Sequence, residues 1–187
     1  MTELTAKERI LENAVSMFSA KGYHGTSMRE IAAASGCSLP TMYYHYKSKN
    51  DLFEEIVVNQ FLAITAKMNS NLNAEMKPED IYFQVLKSRM ELSGFEKEVY
   101  KMALKVWLGF DGEGSAREKI MEWEQKRTEA NRAIIGKTIT DDILRDDVTE
   151  VLINYTENII KKIILLDEEF DLAKLKRQID LIFRLGK

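Results

Sequence analysis

Apolar residues recur at intervals of three and four along almost the whole chain, and no stretch sustains the alternation of a half-buried strand. That periodicity predicts an all-α fold. The first helix runs from about Thr5 to Lys21, puts Ile10, Ala14, Met17 and Phe18 on one side, and stops at Gly22, which tolerates a left-handed C-cap. A very short second helix follows, in which Ser27 and Glu30 have capping-box spacing and Gly36 marks the end. Ser38 can cap a third short helix to about Tyr46; its first turn accepts Pro40 because amides there have no intrahelical partner to lose. Lys47-Ser48-Lys49-Asn50 breaks the pattern. Ser48 and Asp51 then open a long fourth helix carrying Phe53, Ile56, Val57, Gln60, Phe61, Ile64 and Met68, which links a head to a body.

Pro78 can open a fifth helix, with Glu79 and Asp80 near its positive end, Ile81, Val85, Leu86 and Met90 facing inward, and Gly94 closing it. A helix with Val99, Tyr100, Ala103, Leu104 and Trp107 leads into a glycine-rich loop at 109–114. Ala116, Ile120, Trp123, Ala130 and Ile134 form the next stripe. Two final helices, about 141–166 and 172–185, complete the pattern. A length of 187 residues, 45% of them hydrophobic, suits one compact unit or two small ones. The expected division is a head over residues 1–47 and a helical body over 48–187.

Several classes of function fit poorly. The longest aliphatic run, Ile163-Ile164-Leu165-Leu166, is far short of the roughly 20 apolar residues of a membrane span. The first nine residues lack a signal core, and the single cysteine, Cys37, cannot form an internal disulfide, so a cytoplasmic protein is expected. With two histidines, His24 and His45, there is no zinc-type pair, and no metal or cofactor is expected. Asp111, Glu113, Ser115 and Glu122 fall at calcium-loop places, but Ala116 stands where that loop needs glycine, so the match reads as accidental. Gly109, Gly112 and Gly114 lack the Gly-Lys-Ser/Thr of a phosphate loop. No nucleophile–base pair suggests an enzyme. The net charge is −3, yet residues 1–50 carry six bases against four acids, so a mildly basic head adjoins an acidic body.

Helices two and three, joined by a glycine-containing turn, have the layout of a helix-turn-helix, which sets its second helix in a DNA major groove. Ala32, Gly36 and Met42 suit close packing between them. Thr41, Tyr43, Tyr44 and His45 offer hydroxyl and imidazole donors, with Arg29, Lys47 and Lys49 at either side for phosphates. Plainer roles are also available: Tyr46 inward with Tyr43 outward, Lys47 solvated, Cys37 a small hydrophobe in the turn, Thr26 a cap.

Residues 8–53 resemble the tetracycline-repressor-like (TetR) family of bacterial transcription regulators. The likeness lies in Arg9-Ile10-Leu11-Glu12-Asn13-Ala14 through Phe18, Lys21-Gly22-Tyr23, Thr26 to Ala32, Gly36-Cys37-Ser38, Leu39 to Lys49, and Asp51-Leu52-Phe53. The resemblance implies a homodimeric repressor with an N-terminal DNA-binding head and a C-terminal body that binds an effector. It suggests phosphate contacts by Thr26 or Ser27, Arg29, Thr41, Tyr43, His45 and Lys49, and base approach by Pro40 and Tyr44. Leu39 departs from the polar residue often found there; it can touch a thymine methyl but cannot hydrogen-bond a base edge.

In the body, Phe83, Tyr100, Trp107, Phe110, Trp123 and Tyr155 could line a mostly apolar effector site, although such a stripe on a helix is ordinarily core. Arg127 interrupts an apolar stripe and needs a carboxylate partner or an anionic ligand; the rule that buried charges are paired favours an internal salt bridge. Val148, Leu152, Tyr155, Ile159, Leu175, Ile179 and Ile182 on the final two helices give apolar surface for a twofold dimer, which in the resembling family forms a four-helix bundle. Twofold symmetry would set two recognition helices about 34–36 Å apart on a palindromic operator. Effector binding would shift the fourth helix, change the head separation and weaken operator binding. Alternatives are control by a protein partner without a small effector, or an all-α enzyme on this scaffold.

Overall fold

The computed structural model describes residues 4–110 and 115–185, and among them every regular element is helical. The helices are α1 (Ala6–Lys21), α2 (Met28–Ala34), α3 (Leu39–His45), α4 (Lys49–Glu54), α5 (Phe61–Asn69), α6 (Pro78–Met90), α7 (Gly94–Trp107), α8 (Ala116–Ile135), α9 (Asp142–Leu166) and α10 (Leu172–Leu185). Between α4 and α5 the helix widens to π geometry over Glu55–Gln60, so the expected uniform fourth helix is interrupted. The Glu55 carboxylate accepts there from Asn59 Nδ2 at 2.7 Å and Gln60 Nε2 at 3.0 Å.

Side-chain caps define several helix starts. Thr5 with Glu8, Ser27 with Glu30 and Ser93 with Glu96 each form a full capping box, a feature whose cap residue contributes about 1 kcal/mol. The third of these corrects an expectation. Gly94 does not close the fifth helix; α6 ends at Met90, and Gly94 is the first residue of α7 behind the Ser93 cap.

The chain divides into two compact units, Met1–Ile64 with Ser93–Met121 and Thr65–Leu92 with Glu122–Lys187. The first groups the expected head with residues beyond 47, because α1 packs on α7 as well as on α2 and α4. Phe18, Tyr23 and Phe53 form its aromatic centre, with Phe53 edge-on to Phe18 at 5.3 Å and to Tyr23 at 5.0 Å. The Ser19 hydroxyl donates to Glu98; burial pushes that carboxyl up, but hydrogen bonds from Ser19 and Lys101 outweigh it and hold it below its ordinary range.

In the second unit α6 packs against α9 and α10. Leu86, Leu152, Ile164, Leu175 and Ile179 are fully buried, and the Tyr82 hydroxyl donates to Asn131 Oδ1 at 2.7 Å. That bond explains a departure from the expected α8 stripe. Asn131 is half-buried, Ala130 beside it faces solvent, and hydrophobic burial resumes at Ile135.

Candidate nucleic-acid interface

The short helices of the head are fixed by caps at one end and by buried apolar residues along one side. On α2, Met28, Ile31 and Ala32 are buried, and on α3 Met42 fills the angle between the helices. The turn between them contains Gly36 at φ 61, a left-handed conformation that costs a residue with a Cβ about 1–2 kcal/mol. Upstream, Gly25 has no room for a side chain, since a Cβ there would lie 2.4 Å from the Lys21 carbonyl oxygen. Ser38 caps α3 by accepting from the Thr41 amide at 3.2 Å, and the two hydroxyls pair at 2.8 Å.

With Met42 inside, the opposite side of α3 is presented outward. Tyr44 is 84% exposed and Tyr43 47%; the Tyr44 ring meets His45 edge-on at 5.2 Å. Pro40 is exposed, while Leu39, Thr41 and His45 are half-buried. Tyr46 points inward as expected. Burial, helped by Glu55 and Asp51, pushes its hydroxyl up to about 12, and that hydroxyl has no hydrogen-bond partner among the described residues. Ser27 and Arg29 are exposed at the start of α2. Next to them, the Glu30 carboxylate accepts from Ser27 and pairs with Lys21 at 3.1 Å, which holds it down to about 2.

Two expected phosphate contacts serve the fold instead. Thr26 is 2% exposed, and its hydroxyl donates to the Gly22 carbonyl at 2.9 Å. The Lys49 ammonium donates to the carbonyls of Tyr23 at 2.9 Å and Thr26 at 3.1 Å, and lies 4.2 Å from the Tyr23 ring centre. Thr26 lies where the chain turns between α1 and α2, and Lys49 reaches that turn from the start of α4; carbonyls there need donors. Lys47, read from the sequence as solvated, is exposed beside α3.

The candidate effector residues fall in both units. Tyr100 belongs to the first unit and is buried edge-on against Phe61, whereas Phe110 is 79% exposed and Trp107 half-buried. In the second unit Phe83, Trp123 and Tyr155 are half-buried, and Tyr155 donates to Gln178 Oε1 at 2.9 Å. Arg127 takes the salt-bridge alternative: its guanidinium pairs with Glu124 and Glu157 and lies 5.7 Å from the Trp123 ring centre. The expected dimer stripe needs correction too. Val148, Leu152, Ile159, Leu175 and Ile179 are buried within their own chain, while Tyr155 and Ile182 are half-buried. The apolar residues left outward on these helices include Val151, Leu166 and Leu181.

Among the described residues no group of three potential ligands could hold a metal, and no helix is long and apolar enough to cross a membrane. Asp111, Gly112, Glu113 and Gly114 of the calcium- and phosphate-loop comparisons lie outside the described residues.

Comparison with known proteins bears on the same segment. Residues 10–56 match the model for bacterial regulatory proteins of the tetR family. The chain is 32% identical over 80 residues to the biofilm operon icaADBC HTH-type negative transcriptional regulator IcaR of Staphylococcus aureus strain Newman, and the match spans 43% of each chain. Among solved structures, a transcriptional regulator of the TerR/AcrR family from Aquifex aeolicus VF5 superposes with a TM-score of 0.71 at 25% identity, covering 97% of this chain and 99% of its own. AibR in complex with isovaleryl coenzyme A and operator DNA superposes with a TM-score of 0.68 at 18% identity, covering 95% of this chain and 97% of its own. The matched N-terminal segment and the nearly full-length likeness to the Aquifex regulator make this chain similar to bacterial regulatory proteins of the tetR family.

Proposed function

We propose that the protein is a homodimeric, ligand-responsive transcriptional repressor that binds a palindromic DNA operator through α3. The carrying observation is the exposed side of α3: Tyr43 and Tyr44 are outward on a seven-residue helix whose inner side already has Met42 to hold it. Large aromatic side chains with hydroxyl donors suit a groove, where they contact sugar–phosphate and base edges. Pro40 and Tyr44 would approach the bases. Ser27, Arg29, Thr41, Tyr43 and His45 would hold phosphates, with Lys47 in the place expected of Lys49. IcaR, described as a negative regulator, supports repression, and the AibR complex supports an operator and a small effector.

Dimerisation is the geometric counterpart of a palindrome. Val151 and Leu166 on α9 and Leu181 on α10 are outward apolar groups that a second copy would cover. Effector binding releases the operator in so far as the effector favours the DNA-free state.

The test is binding of purified protein to DNA fragments, starting with the region upstream of its own gene, at two salt concentrations. The expected result is sequence-selective binding that weakens as salt rises through counterion release. A folded dimer that binds no fragment, or binds all equally, contradicts the reading.

A further inference from the structure

Arg89 places a charge in a core register. It lies on the face of α6 that also carries Tyr82 and Leu86, and all three are buried, Arg89 to 4% exposure. Its guanidinium is held through Nη1 alone, which donates to Asn69 Oδ1 at 3.1 Å, the Val85 carbonyl at 3.1 Å and Ser88 Oγ at 2.9 Å. All three acceptors are neutral. Nε is buried without a partner, and among the described residues Arg89 makes no ion pair and Nη2 no hydrogen bond. Three carboxylates of the second unit have other partners: Glu91 pairs with Lys87, Asp80 with Lys176 and Glu157 with Arg127.

A buried charge is ordinarily paired, because removing it from water costs far more than neutral acceptors return. The free atoms are also the informative ones. Nε–H and Nη2–H form one edge of the guanidinium, the edge that meets two oxygens of an oxyanion in parallel. The Nη1 bonds fix the plane of the group and leave that edge to a partner the chain does not supply.

We propose that Arg89 anchors the acidic group of the effector, and that the effector is a monocarboxylate with an apolar body, bound in the second unit. The proposal rests on the reading of the protein as a ligand-responsive regulator and replaces Arg127 as the anion-binding residue. One guanidinium neutralises one carboxylate, whereas a phosphate monoester carries about −1.5 to −2 and would leave charge uncompensated. Tyr82 and Leu86 on the same face favour hydrocarbon next to the acid.

The experiment is thermal unfolding of the full-length protein with butyrate, octanoate or dodecanoate, with 1-octanol as the uncharged match, and with inorganic phosphate, on the wild type, Arg89→Met and Arg89→Lys. At least one carboxylate is expected to raise the wild-type midpoint by about 3 °C or more, with no such rise from 1-octanol or phosphate. Without any probe, Arg89→Met is expected to melt at or above the wild type, because an uncompensated buried charge is gone. Both variants should lose most of the carboxylate shift, the lysine because it keeps charge without the fork. A structural tie gives the opposite pattern, with Arg89→Met melting well below the wild type. That result overturns the proposal, as does a shift that survives in both variants, a wild type indifferent to every carboxylate, or an equal response to phosphate. Operator binding by the wild type, measured alongside, tests the regulator reading separately: its absence with the Arg89-dependent shift intact counts against that reading and for the site.

Discussion

The helix-turn-helix and the second unit are built from the same kinds of residue, yet they place their basic side chains on different terms. In the head, Arg29 and Lys47 remain exposed, while Lys49 is consumed by two carbonyls and an aromatic ring. In the second unit Arg127 is held between two carboxylates, and Arg89 is buried on neutral acceptors. A basic residue in such a protein therefore has three uses: to face an external polyanion, to tie the fold, or to wait for a small anion. Which use applies depends on what the surrounding backbone has left unpaired.

The largest expected effect tests whether the head depends on its aromatic centre. Phe53→Ala removes the ring that meets both Phe18 and Tyr23, and should cost about 3–5 kcal/mol in denaturant unfolding. A loss below about 1 kcal/mol would mean the cluster is not the core of that unit.

A sharper contrast sets Lys47 against Lys49. Lys49→Met should lower stability by about 1–2 kcal/mol, since two carbonyls lose a charged donor. Lys47→Met should leave stability within about 0.5 kcal/mol and reduce the salt slope of DNA binding by about one phosphate contact. Reversal of the two phenotypes would restore Lys49 to the interface.

In the second unit, Arg127→Met removes the cation that Glu124 and Glu157 share and leaves Glu157 with Lys161 at 3.2 Å. Because these side chains are about one-fifth exposed, the cost should be only about 1–2 kcal/mol, and neutralising both acids in the same background should recover most of it. Failure of that rescue would indicate a further role for the arginine.

The smallest effect concerns Tyr46, whose hydroxyl is buried without a partner. Tyr46→Phe should be neutral or stabilising by up to about 1 kcal/mol. Its pH signature is distinct: the folded state holds the hydroxyl at about 12, above the ordinary value of 10.0. The resulting contribution is complete below pH 10 and is lost between 10 and 12. Chemical denaturation across that window should show a shallower decline for the variant.

Much of the head was legible because its determinants are local. Ser27 and Glu30, Ser38 and Pro40, and Ser48 and Asp51 fix helix starts within four residues, and the inward Tyr46 and outward Tyr43 follow from helix geometry. The same logic was available at Ser93 and Glu96, where reading Gly94 as a stop hid a capping box. What could not be read is set by long-range partners. Thr26 and Lys49 look like phosphate ligands until carbonyls of the α1–α2 turn claim them, and the apolar rows of α9 and α10 do not say which members face their own chain. The π segment over Glu55–Gln60 leaves no trace in apolar spacing. Nothing in the spacing of α6 marks Arg89, since its burial arises from packing of the second unit.

The most direct test of the DNA-reading account is the affinity of Tyr44→Ala for a selected operator, measured beside the wild type across a range of salt. Tyr44 contributes almost nothing to packing, so the variant should fold as the wild type does. The account predicts an operator affinity at least about tenfold weaker, as expected for loss of a specific base contact, with the salt slope unchanged. Unchanged affinity would contradict the assignment of α3 as the reading helix.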